Sequence, residues 1–180
     1  MAQFASDSFT GVDGTTLQAH DANWVEHPSS AGGDMLITAN RLQQRVTGEG
    51  FYYHSGSPSS ADYSVSADLY TASYSPAFNA TGVIGRTDTT ANTFYHARHR
   101  VSGGWELYRR VTGTFALLGS STVSTPSVGT TVNLKLDMVG STIRLLVNGT
   151  ELASAVDASI TAAGKSGLRI SNASAQTTAE

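Results

Sequence analysis

The residues best equipped for chemistry lie between Arg86 and Arg110, where five of the eleven Lys and Arg residues fall. Arg86, His96, Arg98, Arg100, Tyr108 and Arg110 make up a basic and aromatic set. A guanidinium presents a planar fork of donors that matches a carboxylate, and a tyrosine ring stacks on flat apolar faces or on the guanidinium itself. Two readings stay open at this point. The set is either a patch for an acidic glycan or acidic protein surface, or a solvated sheet face whose arginines stack on their neighbours.

Other constellations carry less. Hydrolysis of a glycosidic bond needs two carboxyl groups with separated roles, held about 5–5.5 Å apart in retaining enzymes. No Glu-x-Asp-x-x-Glu run occurs; Glu106 is the only carboxylate in its segment, and Asp68 stands alone in YSVSADLY. His20, Asp21, His27 and His54 lack the i, i+4 helical spacing of a zinc site. Asp13-Gly14 and Asp21 lack the alternating string of oxygen ligands that calcium loops use. No nucleophile elbow and no phosphate-cradling glycine loop is present. The expectation is a non-enzymatic chain with no metal and no cofactor.

Composition narrows the class. A chain of 180 residues is most simply one domain, residues 1–180. There is no cysteine, which removes disulfides, thiolate metal sites and thiol nucleophiles. Charged residues are 14% of the chain and the formal net charge is −3, with no basic excess to attract nucleic acid. No apolar run approaches the ~18 residues of a membrane span. Met1 is followed by no basic and apolar leader, so the expectation is a protein made and kept in the cytosol.

The elements that would position the basic set are strands. In NTFYHARHRV and WELYRRV, Tyr95, Ala97, His99, Trp105, Leu107 and Arg109 fall on one parity, and Phe94, His96, Arg98, Arg100, Glu106, Tyr108 and Arg110 on the other. Successive side chains of a strand point to opposite faces, so the first group packs and the second faces out. The same pattern predicts strands over residues 3–10, 34–39, 41–46, 51–54, 63–72, 81–87, 93–101, 105–111, 115–123, 131–138, 142–147, 151–156 and 166–170. Asn148-Gly149, Thr112-Gly113 and Gly140-Ser141 read as hairpin turns, and residues 78–147 as an antiparallel meander. Residues 157–164 are the only expected helical turn. So many short strands fold into two packed layers rather than one open sheet. The fold class is an all-β, two-layer antiparallel sandwich.

DSFTGVDGTTLQAHDANW, GVIGRTDTTANTFYHARH, WELYRRVTGTFALLG, LKLDMVGSTIRLLVNG and KSGLRIS, in this order, resemble the concanavalin A-like, laminin-G-like jelly-roll domains. The resemblance runs from Asp7 to Ser171 and implies two curved, stacked sheets whose concave face carries a carbohydrate or protein ligand. It departs from the pattern at the end: SNASAQTTAE holds no recognisable closing strand, so either the sequence stops short of a longer product or the first strand keeps an edge open for pairing with another chain. A cysteine-free jelly roll without a leader leads to the expectation of a structural accessory protein of a tailed-phage virion. It would decorate the capsid or tail, with other virion proteins and further copies of itself as partners and a host-surface glycan as an adhesion target. Its place would be the virion surface, after assembly in the host cytoplasm. The alternative is a stand-alone carbohydrate-binding module, and the third reading is a glycosidase.

Overall fold

Alternation along the strands decides the architecture, because each sheet must hide one face. In the computed structural model, residues 3–32, 34–44, 48–71, 80–100, 104–123, 126–171 and 177–179 are described. They form one short helix, α1 (Leu17–His20), and the strands β1 (Trp24–Glu26), β2 (Met35–Ile37), β3 (Leu42–Gln44), β4 (Glu49–His54), β5 (Tyr63–Tyr70), β6 (Ala80–Thr87) and β7 (Phe94–Arg100). The chain continues with β8 (Gly104–Val111), β9 (Thr114–Ser121), β10 (Thr131–Val139), β11 (Thr142–Val147), β12 (Thr150–Val156), β13 (Lys165–Ser171) and β14 (Thr177–Ala179). Two seven-stranded antiparallel sheets result: a front sheet ordered β1-β4-β13-β6-β7-β8-β9 and a back sheet ordered β12-β11-β10-β5-β14-β3-β2.

The core lies between them. The front sheet supplies Trp24, Tyr52, Val83, Tyr95, Trp105, Leu107, Leu168 and Ile170; the back sheet supplies Tyr63, Leu69, Leu134, Leu136, Met138, Ile143 and Leu145. Fully burying one such side chain stabilises the fold by about 1.5–3 kcal/mol. Gly85 faces inward, where a Cβ would come within 2.4 Å of Met138 Cε, so the missing side chain makes room for the methionine.

The parity reading of β7 and β8 holds, and the sandwich is as expected. Four local features differ. Residues 3–10 form no strand; Asp7 anchors them by accepting from the Phe9 N–H at 2.7 Å and Trp24 Nε1 at 2.7 Å, with His20 Nε2 at 2.8 Å. The helical turn is α1, capped by Thr16 Oγ1, and not residues 157–164. The meander breaks after β9, where the chain crosses to the back sheet. The expected open edge is also corrected: β14 pairs with β5 on one side and β3 on the other.

Buried polar groups fasten the layers. Arg86, only 2% exposed, donates from Nε to the Ala61 carbonyl at 2.9 Å, from Nη1 to that of Ile160 at 2.8 Å and from Nη2 to that of Gly140 at 2.8 Å. Tyr63 OH accepts from the Arg86 N–H and donates to the Lys165 carbonyl. Arg86→Met should therefore cost about 3 kcal/mol, because three carbonyls lose a charged donor. Urea unfolding reads this directly, and a loss below ~0.5 kcal/mol would show that the anchor is dispensable. Burial holds His99, which packs on Trp105 at 4.8 Å, down to about 4, and lowers His27 and His96 below the usual 6.5. The unfolded chain takes up protons there below about pH 6.5 while the folded chain resists them. Stability should be full above that pH and fall as pH drops toward 4, by up to ~1.4 kcal/mol per pH unit per histidine. His99→Phe should flatten this decline in pH-dependent unfolding; an unchanged slope would remove His99 from the account.

Candidate functional site

The outward face of the front sheet gathers most of the predicted set. Register places Ile84, His96, Tyr108 and Leu117 in one cross-strand row, and Arg169, Gly82, Arg98, Glu106 and Ser120 in the next. Gly82 has no side chain, and a Cβ there would come within 2.1 Å of the Ala97 carbonyl oxygen and 2.8 Å of Arg98 Cβ, so β7 approaches β6 closely at this point. The face is strongly curled. Arg169 on β13 lies 5.1 Å from the Phe115 ring on β9, although four inter-strand steps on a flat sheet would span roughly 19 Å. Phe51 on β4 likewise meets Phe94 on β7 at 4.9 Å between ring centroids. Only a concave face brings such distant strands into side-chain contact.

Phe51, Ile84 and Phe94 form an apolar floor at one end of this trough, all fully buried. The His27 ring stacks on Phe51 at 4.0 Å, and its Nε2 lies 2.9 Å from the Asp88 carbonyl, so the loop after β1 closes that end. Above the floor, Arg169 grips Glu49 through Nε and Nη2, both at 2.5 Å, and Arg110 Nη1 reaches the same carboxylate at 3.6 Å. Arg110 also donates from Nε to the Gly113 carbonyl at 3.0 Å and lies 4.4 Å from the Phe115 ring. At the other end, Arg98 binds Glu106 at 2.7 Å and lies 4.4 Å over the Tyr108 ring, with Arg100 Nη1 3.9 Å from Glu106.

The electrostatics follow from crowding. Burial first, then the neighbouring Arg169, lowers the Arg110 pKa, and Glu49 opposes that shift. His96 is driven well below its ordinary range by complete burial, and then by Arg169, Arg98 and Arg110. Neither of its ring nitrogens has a hydrogen-bond partner, and neither has Arg169 Nη1.

His96, Arg98, Arg100, Tyr108 and Arg110 thus share one face, with His96 in its floor. Arg86 lies elsewhere, buried at the sheet end. The sequence reading grouped it with the basic and aromatic set, but its φ of 49° and the register shift between Lys165 and Gly167 turn it away. Arg169, Glu49, Phe115 and His27 are the residues that the sequence reading missed. Arg169 alternates with apolar Leu168 and Ile170, which was a legible sign of an outward arginine. Its place between β4 and β6 was not legible.

His20, His27 and His54 do not converge. His20 pairs with Asp7, His27 with the Asp88 carbonyl, and His54 Nδ1 accepts from the Gly56 N–H. Among the described residues no three His, Cys, Asp or Glu side chains gather as metal ligands, and no catalytic motif is present. Glu49 and Glu106, the carboxylates of the trough, are both engaged by arginine.

No protein-family model and no curated protein matches the chain. Several solved structures share its fold. A carbohydrate-binding module, CBM66, from Bacillus subtilis superposes with a TM-score of 0.70 at 19% identity, covering 87% of this chain and 91% of that one. A protein of unknown function with a galectin-like fold, also from Bacillus subtilis, gives 0.64 at 11% identity, over 93% and 94% of the two chains. The carbohydrate recognition domain of Emp46p in its metal-free form gives 0.57 at 11% identity, over 89% and 86%. The virion expectation is corrected by these likenesses, which lead to carbohydrate-recognition folds and not to capsid or tail proteins. The virion partners and the virion-surface location go with it. The separate expectation of an open edge is removed by β14. The chain has a β-sandwich jelly-roll fold similar to those of this carbohydrate-binding module, galectin-like protein and carbohydrate recognition domain.

Proposed function

We propose that the chain is a carbohydrate-binding module whose concave front face holds the sugar. The observation that carries this reading is the pairing of flat and forked groups in one trough. Tyr108 lies under the Arg98 guanidinium beside Glu106, while Phe115, 37% exposed, marks the rim beside Arg110. A sugar ring offers an apolar C–H face and a girdle of hydroxyls. Aromatic rings take the first, and ion-paired carboxylates and guanidinium groups take the second as acceptors and donors. A few placed polar groups among apolar walls are the usual make-up of a small-molecule site. Similar folds whose names carry carbohydrate binding or recognition support the same reading.

Glu49 and Glu106 act here as acceptors, oriented by the arginines that neutralise them. Arg98, Arg100, Tyr108 and Arg110 line the trough, joined by Phe115 and Arg169. His96 supports them from below and touches no ligand. A glycan array probed with the intact chain should give reproducible hits, followed by calorimetry on the best one. Tyr108→Ala should then weaken binding at least tenfold, about 1.4 kcal/mol, with the urea midpoint little changed. An array without hits, or retention that survives Tyr108→Ala combined with Arg98→Ala, would remove this assignment.

A further inference from the structure

If the trough is a sugar site, its charge balance specifies the sugar. Four guanidinium groups, Arg98, Arg100, Arg110 and Arg169, face two carboxylates, Glu49 and Glu106. This local surplus of positive charge belongs to a chain whose formal net charge is −3. Cationic groups are therefore concentrated on the one concave face, where a curved wall of low polarity strengthens their field.

The surplus is sharpest around Arg169. Its side chain is only 5% exposed, and it spends Nε and Nη2 on Glu49 while Nη1 has no partner. Arg110 stands beside it with one carbonyl and a 3.6 Å approach to the same Glu49. Arg169 Nη1 thus lacks an acceptor, while the partly exposed Arg110 makes only a long approach to the carboxylate that Arg169 already holds. A second carboxylate would satisfy the free fork positions in their own plane, as guanidinium–carboxylate pairs do. Phe115 contacts both, at 4.4 Å and 5.1 Å, and sits on the edge strand β9, where it has room to turn aside.

We propose that the trough selects glycans bearing a carboxylate, that is, uronate-containing chains, and receives the carboxylate between Arg110 and Arg169 once Phe115 swings outward. Arg98 and Tyr108 then hold the adjoining ring. The carbohydrate reading is the footing of this proposal, so the test separates the two.

Calorimetry of the intact chain with oligogalacturonate, its methyl ester and a neutral galactan oligomer makes the distinction. The free acid should bind at least tenfold more tightly than the ester, and raising NaCl from about 20 to about 200 mM should weaken the acid several-fold while leaving the ester nearly unchanged. Arg110→Gln should bring acid and ester within about threefold of each other. Should that variant fail to fold, Arg110→Lys, which keeps the charge and loses the fork, should still narrow the ratio. Equal binding of acid and ester would overturn the uronate inference and leave the carbohydrate reading standing. A sulfated oligosaccharide that competes as well as the uronate would overturn the carboxylate preference. If neither acid, ester nor neutral oligomer binds, and the glycan array is silent, both readings fall.

Discussion

A guanidinium taken out of water has to be given acceptors in its own plane, and three arginines of this chain meet that demand differently. Arg86 is given backbone carbonyls from residues distant in sequence, Ala61, Gly140 and Ile160, so it ties loops to the sheet end. Arg98 is given Glu106 from the next strand and an aromatic face to rest on. Arg169 is given Glu49 and is left with Nη1 unpartnered. A buried donor without an acceptor costs more than a made bond gains, so such shortfalls are uncommon in a finished fold. The Arg169 shortfall sits in the trough, and others, such as His99 Nε2, lie on the packing side of the same strands.

Curvature turns this local chemistry into a site. The front sheet brings Phe51 against Phe94 and Arg169 against Phe115, so residues from β4, β13, β7, β8 and β9 meet over a small area. The apolar floor of Phe51, Ile84 and Phe94 is separate from the main core and supports the charged layer above it. Two hydrophobic layers therefore flank the same sheet. One holds the sandwich together, and the other underlies the charged groups of the trough.

Much of the fold was legible because strand parity is a local signal. Tyr95, Ala97, Trp105 and Leu107 face the core, and Asn148-Gly149 and Thr112-Gly113 carry the positive φ angles that their turns require. The grouping of Arg86 with the outward set failed, because a positive φ and a register shift rotate the chain there. The three-residue strands β1 and β14 are too short to show a period, and neither is among the expected strands. Half of the trough was legible for the same reason: Arg98, Arg100, Tyr108 and Arg110 come from one hairpin. Glu49 and Arg169 come from β4 and β13, whose adjacency is a matter of topology that no local spacing records. The virion expectation failed one level higher, since a fold pattern carries no mark of the particle or pathway that uses it.

The position of β14 sets an order of events during synthesis. Thr177–Ala179 slots between β5 and β3, strands formed from residues 63–70 and 42–44, so the middle of the back sheet is supplied by residues translated more than a hundred positions later. While the ribosome still holds that segment, β5 and β3 each have a ladder side with nothing to pair with. Exposed strand edges of this kind invite pairing with other nascent chains. Completion of the back sheet therefore waits for a segment made more than a hundred residues after β5, and the interval before it arrives is when this molecule is most open to misassembly.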